Sequence, residues 1–371
     1  MEEYFNSQAC SDNDILSISS KIEKKSAKFK FFLLFQIYFV PLWHLLDKEI
    51  MEIVIDILLV IVGVVFVLWG ADRLTEGSVS MASKLGVSQM VIGLTIVALG
   101  TSMPEFCVSF VSALKGTADM AVGNVVGSNV FNAMLIVGVA AMVAPMCVMR
   151  QTVRKDLVFA VAASVIMGAL VFDNEISRAD AVILTALFIV YMWITLKGAR
   201  AVHSDDLENT VQSVDNVQSL QSGLSTIKSV LWIVIGLAGL IIGSNVFVGS
   251  ASSLALSLNV PEAVVGLTIV AGGTSMPELA TSVVAARKGN SGIAIGNVIG
   301  SNVFNILFVV GLTGIVCPMT VNGITWIDLS VMIGSMFMLW FFAYTKLTIA
   351  RWEGFVLSAL FVAYMVWLIL C

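Results

Sequence analysis

The stretch GLTIVALGTSMPEFCVSFVSALKGTADMAVGNVVGSNVFNAMLIVG runs from Gly93 to Gly138, and GLTIVAGGTSMPELATSVVAARKGNSGIAIGNVIGSNVFNILFVVG runs from Gly266 to Gly311. The two align without a gap at an offset of 173 and agree at 29 of 46 positions. Generic hydrophobicity does not write G-T-S-M-P-E and G-S-N-V-F-N twice in one order, so the chain carries an internal duplication. Both copies are apolar apart from a few hydroxyls, amides and one acid each, Glu105 and Glu278.

Working outward, the 371 residues are 58% hydrophobic and 12% charged, with a mean hydropathy of +0.97. Soluble domains carry about 25% charged residues. Half of that charge is missing, so the apolar surplus must face lipid, and the chain is an all-α integral membrane protein. A bilayer core needs roughly 20 apolar residues per helix. From Met51 onward ten such runs appear, near 52–71, 89–114, 119–146, 155–172, 179–197, 229–256, 262–286, 291–317, 324–344 and 352–370.

The one long polar break, Lys197 to Lys228, separates five runs from five. An odd number of helices per half makes the second half enter the membrane in the opposite sense, so the expected fold is ten transmembrane helices in two inverted five-helix repeats. The parts are an N-terminal extension at 1–50, a first repeat at 51–197, a linker at 198–228 and a second repeat at 229–371. The linker acids Asp205, Asp206, Glu208 and Asp215 do not follow an EF-hand spacing, so it reads as a solvated connection.

Lys and Arg accumulate in short cytoplasmic loops. If the faces alternate helix by helix, twelve basic residues fall on one face and two, Lys115 and Arg178, on the other. That puts the linker in the cytoplasm; the expected location is a bacterial inner (plasma) membrane. Residues 1–50 add six lysines on the wrong side and a short run, Phe31–Leu46, that contains Gln36 and Pro41. That segment reads as a signal-like anchor or as sequence ahead of a start at Met51, in preference to an eleventh helix.

Several functions are excluded. No basic cluster lies beside aromatics, so there is no case for nucleic acid. Five scattered cysteines and two histidines give neither a thiolate metal site nor an H-E-x-x-H metalloprotease. No phosphate loop, cofactor fingerprint or protease motif appears. An enzyme, a resident cofactor and an obligate protein partner are not expected; the partners are membrane lipid and small cations.

The chemistry lies with Glu105 and Glu278. An ionised side chain at membrane depth costs about 2.5–3.5 kcal/mol even on the milder scales, and the surrounding helices offer no central Lys or Arg. Cations supply the compensation. Thr101, Ser102 and Glu105 sit at i, i+1 and i+4, as do Thr274, Ser275 and Glu278, which places their oxygens on one helix face. Pro104 and Pro277 leave the carbonyls of Gly100 and Gly273 without their helical donors. Ser128 with Asn132, and Ser301 with Asn305, add neutral oxygens at i and i+4. Carboxylates, hydroxyls and carbonyls form a hard-oxygen site suited to Na⁺, Ca²⁺ or Mg²⁺. The glycines Gly123, Gly127, Gly296 and Gly300, in G-x-x-x-G, allow the close helix packing that such a site needs.

These paired motifs resemble the alpha repeats of the calcium/cation antiporter superfamily, most closely its prokaryotic sodium/calcium exchanger branch, and the resemblance covers Met51 to Cys371. It implies a mid-membrane cation site between helices two, three, seven and eight. It maps site roles onto Glu105, Glu278, Thr101, Ser102, Thr274, Ser275, Ser128, Asn132, Ser301 and Asn305, with the backbone carbonyls of Ala98 and Ala271. Several relatives carry Asp where this chain has Asn305, which makes potassium dependence less expected.

The charges suggest antiport. Two carboxylates are neutralised by one Ca²⁺ and overfilled by three Na⁺, so the two ion sets are alternatives at one site. Alternating access is expected to come from helices one and six, with glycines at matching places (Gly63 and Gly70, Gly236 and Gly243), sliding against the other eight. A calcium/proton antiporter is the alternative, and a cation channel a more distant one.

Overall fold

The computed structural model describes residues 48–205, 224–258 and 271–370. The N-terminal run Phe31–Leu46, most of the linker with Asp206, Glu208 and Asp215, and the start of the seventh span through Val270 lie outside the described residues. The described residues from Leu58 onward pack as one compact unit.

In chain order the helices are α1 (Lys48–Leu85), α2 (Gln89–Thr101 and Met103–Leu114), α3 (Ala118–Val143), α4 (Arg150–Asp173) and α5 (Arg178–Asp205). The second half repeats the order as α6 (Thr226–Ser257), α7 (Ala271–Thr274 and Met276–Arg287), α8 (Ser291–Val316), α9 (Trp326–Lys346) and α10 (Arg351–Leu370). Among the described residues, eight helices are long and apolar enough to cross a membrane. The bent pair of α2 makes a ninth span. Helix α7, which enters the described residues at Ala271, completes the ten.

Among the described residues, four two-residue strands identify the faces. β1 (Met146–Cys147) follows α3, β2 (Glu175–Ile176) follows α4, β3 (Met319–Thr320) follows α8 and β4 (Thr348–Ile349) follows α9. β1 pairs antiparallel with β4 and β2 with β3, with Met146 opposite Ile349 and Ile176 opposite Met319. If each span crosses once, β1 and β4 share the face that carries the linker, and β2 and β3 share the other. Other contacts obey the same rule. Ser80 and Ser229 hydroxyls meet at 2.7 Å where α1 ends and α6 begins, on the linker face. On the opposite face Asp119 Oδ1 accepts the backbone N–H groups of Asn322 and Gly323, each at 2.7 Å. Helix α1 therefore ends on the face where α6 starts, and the repeats are inverted.

Helix α1, with 38 residues, is much longer than its apolar run suggests, and α6 has 32, close to its run. At 1.5 Å per residue they measure about 57 and 48 Å, well beyond an apolar layer of about 30 Å, so both must tilt steeply or run past it. They contact each other through glycine. A Cβ on Gly70 would lie 2.7 Å from the Gly236 carbonyl, and one on Gly63 would lie 2.9 Å from that of Gly243. The sequence marked these four glycines as matching positions; the structure shows them interlocked, each facing its counterpart's partner. Around this pair, α8 is buried almost throughout, while the first half of α1 exposes aliphatic side chains such as Leu58, Ile61 and Val65.

Candidate cation site

Both GTSMPE segments break their helix at the serine. Ser102 has φ −84° and ψ 5°, Ser275 has φ −88° and ψ 8°, and a proline follows in the first turn of the next segment. Pro104 and Pro277 are tolerated there because first-turn N–H groups have no helical acceptor. The two parts of α2 meet at 45°. Such a break at membrane depth is sustainable only when enclosed by protein or lining a cavity. Glu105 and Glu278 lie in the first turn after each break and are fully buried.

The break redirects the serines. The i, i+1, i+4 spacing suggests that each serine joins its own glutamate, but the structure crosses them. Ser102 donates to Oε1 of Glu278 at 3.0 Å, and Ser275 donates to Oε1 of Glu105 at 2.9 Å. Each glutamate keeps its second oxygen, Oε2, buried and without a hydrogen bond.

The remaining site residues gather round this centre. Ser128, on α3, lies 3.2 Å from the Ser275 hydroxyl. Ser301 on α8 is fully buried with its Oγ unpartnered, and so are both amide atoms of Asn132 and of Asn305. Asn132 and Asn305 each occupy the second position of a π-helical turn, Phe131–Ile136 and Phe304–Val310, a local widening often found at functional sites. Unsatisfied buried oxygens are costly, and a hard cation among them satisfies several at once. Among the described residues no group of three or more His, Cys, Asp or Glu side chains forms a metal site, so the two glutamates are the anionic pair.

Two further expected ligands carry hydrogen bonds within and between the repeats. Thr101 Oγ1 donates to the Val97 carbonyl at 3.0 Å and lies 3.1 Å from Oδ1 of Asn297 in the other repeat. The Ala98 carbonyl accepts the Ser102 N–H at 3.0 Å and the Thr101 hydroxyl at 3.4 Å. Thr274 is half-buried beside the break of α7, and Ala271 opens the described part of that helix.

One pair of residues was not singled out from the sequence. Asn124 donates to the Glu105 carbonyl at 3.2 Å and to Ser109 Oγ at 2.9 Å. Asn297 does the same to the Glu278 carbonyl at 3.3 Å and to Ser282 Oγ at 3.0 Å. They strap α3 to α2 and α8 to α7 at the glutamates themselves. The available signal was their identity in both repeats, within G-N-V-V-G-S-N and G-N-V-I-G-S-N. Close packing brings α8 against the start of α2: a Cβ on Gly296 would lie 2.7 Å from the Met90 carbonyl, and one on Gly300 would lie 2.6 Å from Ala98 Cβ.

With this geometry in view, the comparisons fall on the whole ten-helix body. A family model described as sodium/calcium exchanger protein matches residues 55–197 and 228–370. Sodium/calcium exchanger MaX1 of Methanosarcina acetivorans is 34% identical over 347 residues, spanning 85% of this chain and 98% of that protein. Inner membrane protein YrbG of Escherichia coli is 35% identical over 276 residues, 74% of this chain and 84% of its own length. Among solved structures, the sodium-calcium exchanger NCX_Mj superposes with a TM-score of 0.73 at 28% identity, covering 85% of this chain and 99% of that one.

Proposed function

The chain belongs to the sodium/calcium exchanger family, and from that membership we propose that it exchanges Na⁺ for Ca²⁺ across the membrane by alternating access through the site of Glu105 and Glu278. It is a secondary transporter, and the ions are its substrates. The observation that carries the reading is the crossed pair of serine–glutamate bonds, which builds one centre from both repeats.

The proposed roles follow from the donor set. Glu105 and Glu278 neutralise Ca²⁺ through the oxygens that lack a hydrogen bond, while Ser102 and Ser275 hold the carboxylates in place from the opposite repeat. Calcium takes six to eight oxygens at about 2.3–2.6 Å, which two bidentate carboxylates and nearby carbonyls approach. Sodium ions occupy the flanking oxygens of Thr101, Thr274, Ser128, Ser301, Asn132, Asn305 and the carbonyls of Ala98 and Ala271. Filled by either ion set, the centre loses its uncompensated negative charge, and that permits α1 and α6 to move. Empty, it carries two buried negative charges, so the unloaded crossing is disfavoured and the two fluxes are coupled.

The same reading divides the chain into repeats at 51–197 and 229–371 joined by the linker at 198–228. It places the linker face in the cytoplasm, where twelve of the fourteen basic residues outside 1–50 fall. A relative from Escherichia coli bears the name inner membrane protein, and we infer a bacterial inner membrane for this chain too.

Proteoliposomes loaded with radiolabelled calcium test the exchange. Release is expected when Na⁺ is supplied outside, at any fixed pH and without K⁺. Release driven by a pH gradient in the absence of Na⁺ would instead make the protein a calcium/proton antiporter.

A further inference from the structure

The two repeats agree in the site but differ in what ties α1 and α6 to it. The offset of 173 that aligns the site segments also matches Gly63 and Gly70 to Gly236 and Gly243. Carried through without a gap, it pairs Asp72 with Asn245, Lys288 with Lys115, Ser244 with Ala71 and Gly273 with Gly100.

Two contacts in the structure use the members of these pairs that carry a charge or a hydroxyl. On the linker face, Asp72 of α1 forms an ion pair with Lys288 at the end of α7, with both side chains about one-third exposed. At membrane depth, the Gly273 carbonyl, whose helical donor Pro277 replaces, accepts the Ser244 hydroxyl of α6 at 2.7 Å. Val248 of α6 also lies against Gly273. The matching partners cannot reproduce either contact. Asn245 has no charge to offer Lys115, and α6 contains no Asp or Glu from Thr226 to Ser257. Ala71 has no hydroxyl for the Gly100 carbonyl, and Gly100 here lies against Leu237 of α6.

In an inverted-repeat carrier, exchanging the conformations of the two halves generates the opposite-facing state. Contacts made by identical residues recur in both states; contacts made by unlike residues exist in only one. We propose that the Asp72–Lys288 and Ser244–Gly273 contacts form a one-sided latch that holds α1 and α6 in the position seen here, so that the unloaded carrier favours this conformer over its repeat-swapped counterpart. This deepens the exchange reading and rests on its sliding of α1 and α6. A partly exposed ion pair shifts such an equilibrium by about two- to fivefold, and a buried hydrogen bond within a membrane protein by about threefold.

The test uses the full chain with its cysteines replaced by serine, spin labels at the exposed positions Leu85 and Arg287 on the linker face, and pulsed-EPR distance distributions in ion-free nanodiscs. The parent protein is expected to show a dominant and a minor distance. Asp72→Asn should raise the minor population about two- to fivefold, Ser244→Ala about threefold, and the two together by roughly the product. Asn245→Asp, which supplies the missing acid on the other half, should raise it as well, and the charge exchange of Asp72→Lys with Lys288→Asp should return it to the parent value. At 1 M choline chloride, whose cation is too large for the site and whose screening acts within about 3 Å, the parent distribution should move toward that of Asp72→Asn, a check that needs no variant to fold. A single distance in every sample, or populations unchanged by both Asp72→Asn and Ser244→Ala, would overturn the latch. Failure of Na⁺ to drive calcium release from vesicles would be seen separately, and bears on the exchange reading rather than on these populations.

Discussion

Ser275 lies in the second repeat, yet its hydroxyl donates to Oε1 of Glu105 in the first at 2.9 Å, while Ser102 returns the bond to Glu278 at 3.0 Å. Each half thus holds the other half's carboxylate. Neither repeat alone contains a finished site.

Replacing either carboxylate removes half of the negative charge without altering shape. Glu105→Gln and Glu278→Gln should each reduce calcium exchange to the level of empty vesicles while the protein still inserts and elutes as a single species. Calcium flux retained by either variant would take that glutamate out of the site.

The serines act at one remove, by orienting a carboxylate. Losing such an orienting bond typically weakens metal affinity about 10–100-fold. Ser102→Ala and Ser275→Ala should therefore weaken calcium binding by similar factors in titration calorimetry, with exchange persisting at higher calcium. An effect confined to one of the two would contradict the crossed arrangement.

Asn124 and Asn297 hold the helix pairs together. Asn124→Leu and Asn297→Leu each leave a glutamate carbonyl and a buried serine without their amide, at a cost of about 1 kcal/mol on membrane-protein scales. Thermal unfolding in detergent should show both losses, and the larger at Asn297, whose Oδ1 also meets Thr101 at 3.1 Å.

Glycine contacts between α1 and α6 admit no side chain. A Cβ on Gly236 would lie 2.6 Å from the Leu74 backbone nitrogen, and one on Gly70 would lie 2.7 Å from the Gly236 carbonyl. Gly70→Ala and Gly236→Ala should slow or stop exchange by forcing the pair apart. Gly334→Ala, on the exposed side of α9 with no atom near its added Cβ, should leave exchange intact. Equal activity in all three would remove the tight pairing from the mechanism.

Much of this was legible in the residues because duplication writes every site group twice: Glu105 and Glu278 stand out as acids in apolar helices, and the five-plus-five count gives the inversion. What the reading along one helix could not reach were relations across helices. The Ser102–Glu278 bond spans 176 positions, and the break at Ser102 rotates that side chain away from the face its spacing suggests. Asn124 binds Glu105 from 19 positions away on the next helix. Ser244 bonds Gly273 from another helix, so its difference from Ala71 gained meaning only once the contact was seen. The length of α1 was underestimated because polar residues such as Asp72, Arg73 and Glu76 end the apolar run without ending the helix.

The most direct test of the central claim is an experimental structure with calcium bound, the ion located by its anomalous scattering. One calcium ion is expected between the repeats, with oxygens of both Glu105 and Glu278 at about 2.3–2.6 Å. A calcium ion held by only one of these glutamates, or found away from both, would contradict the account.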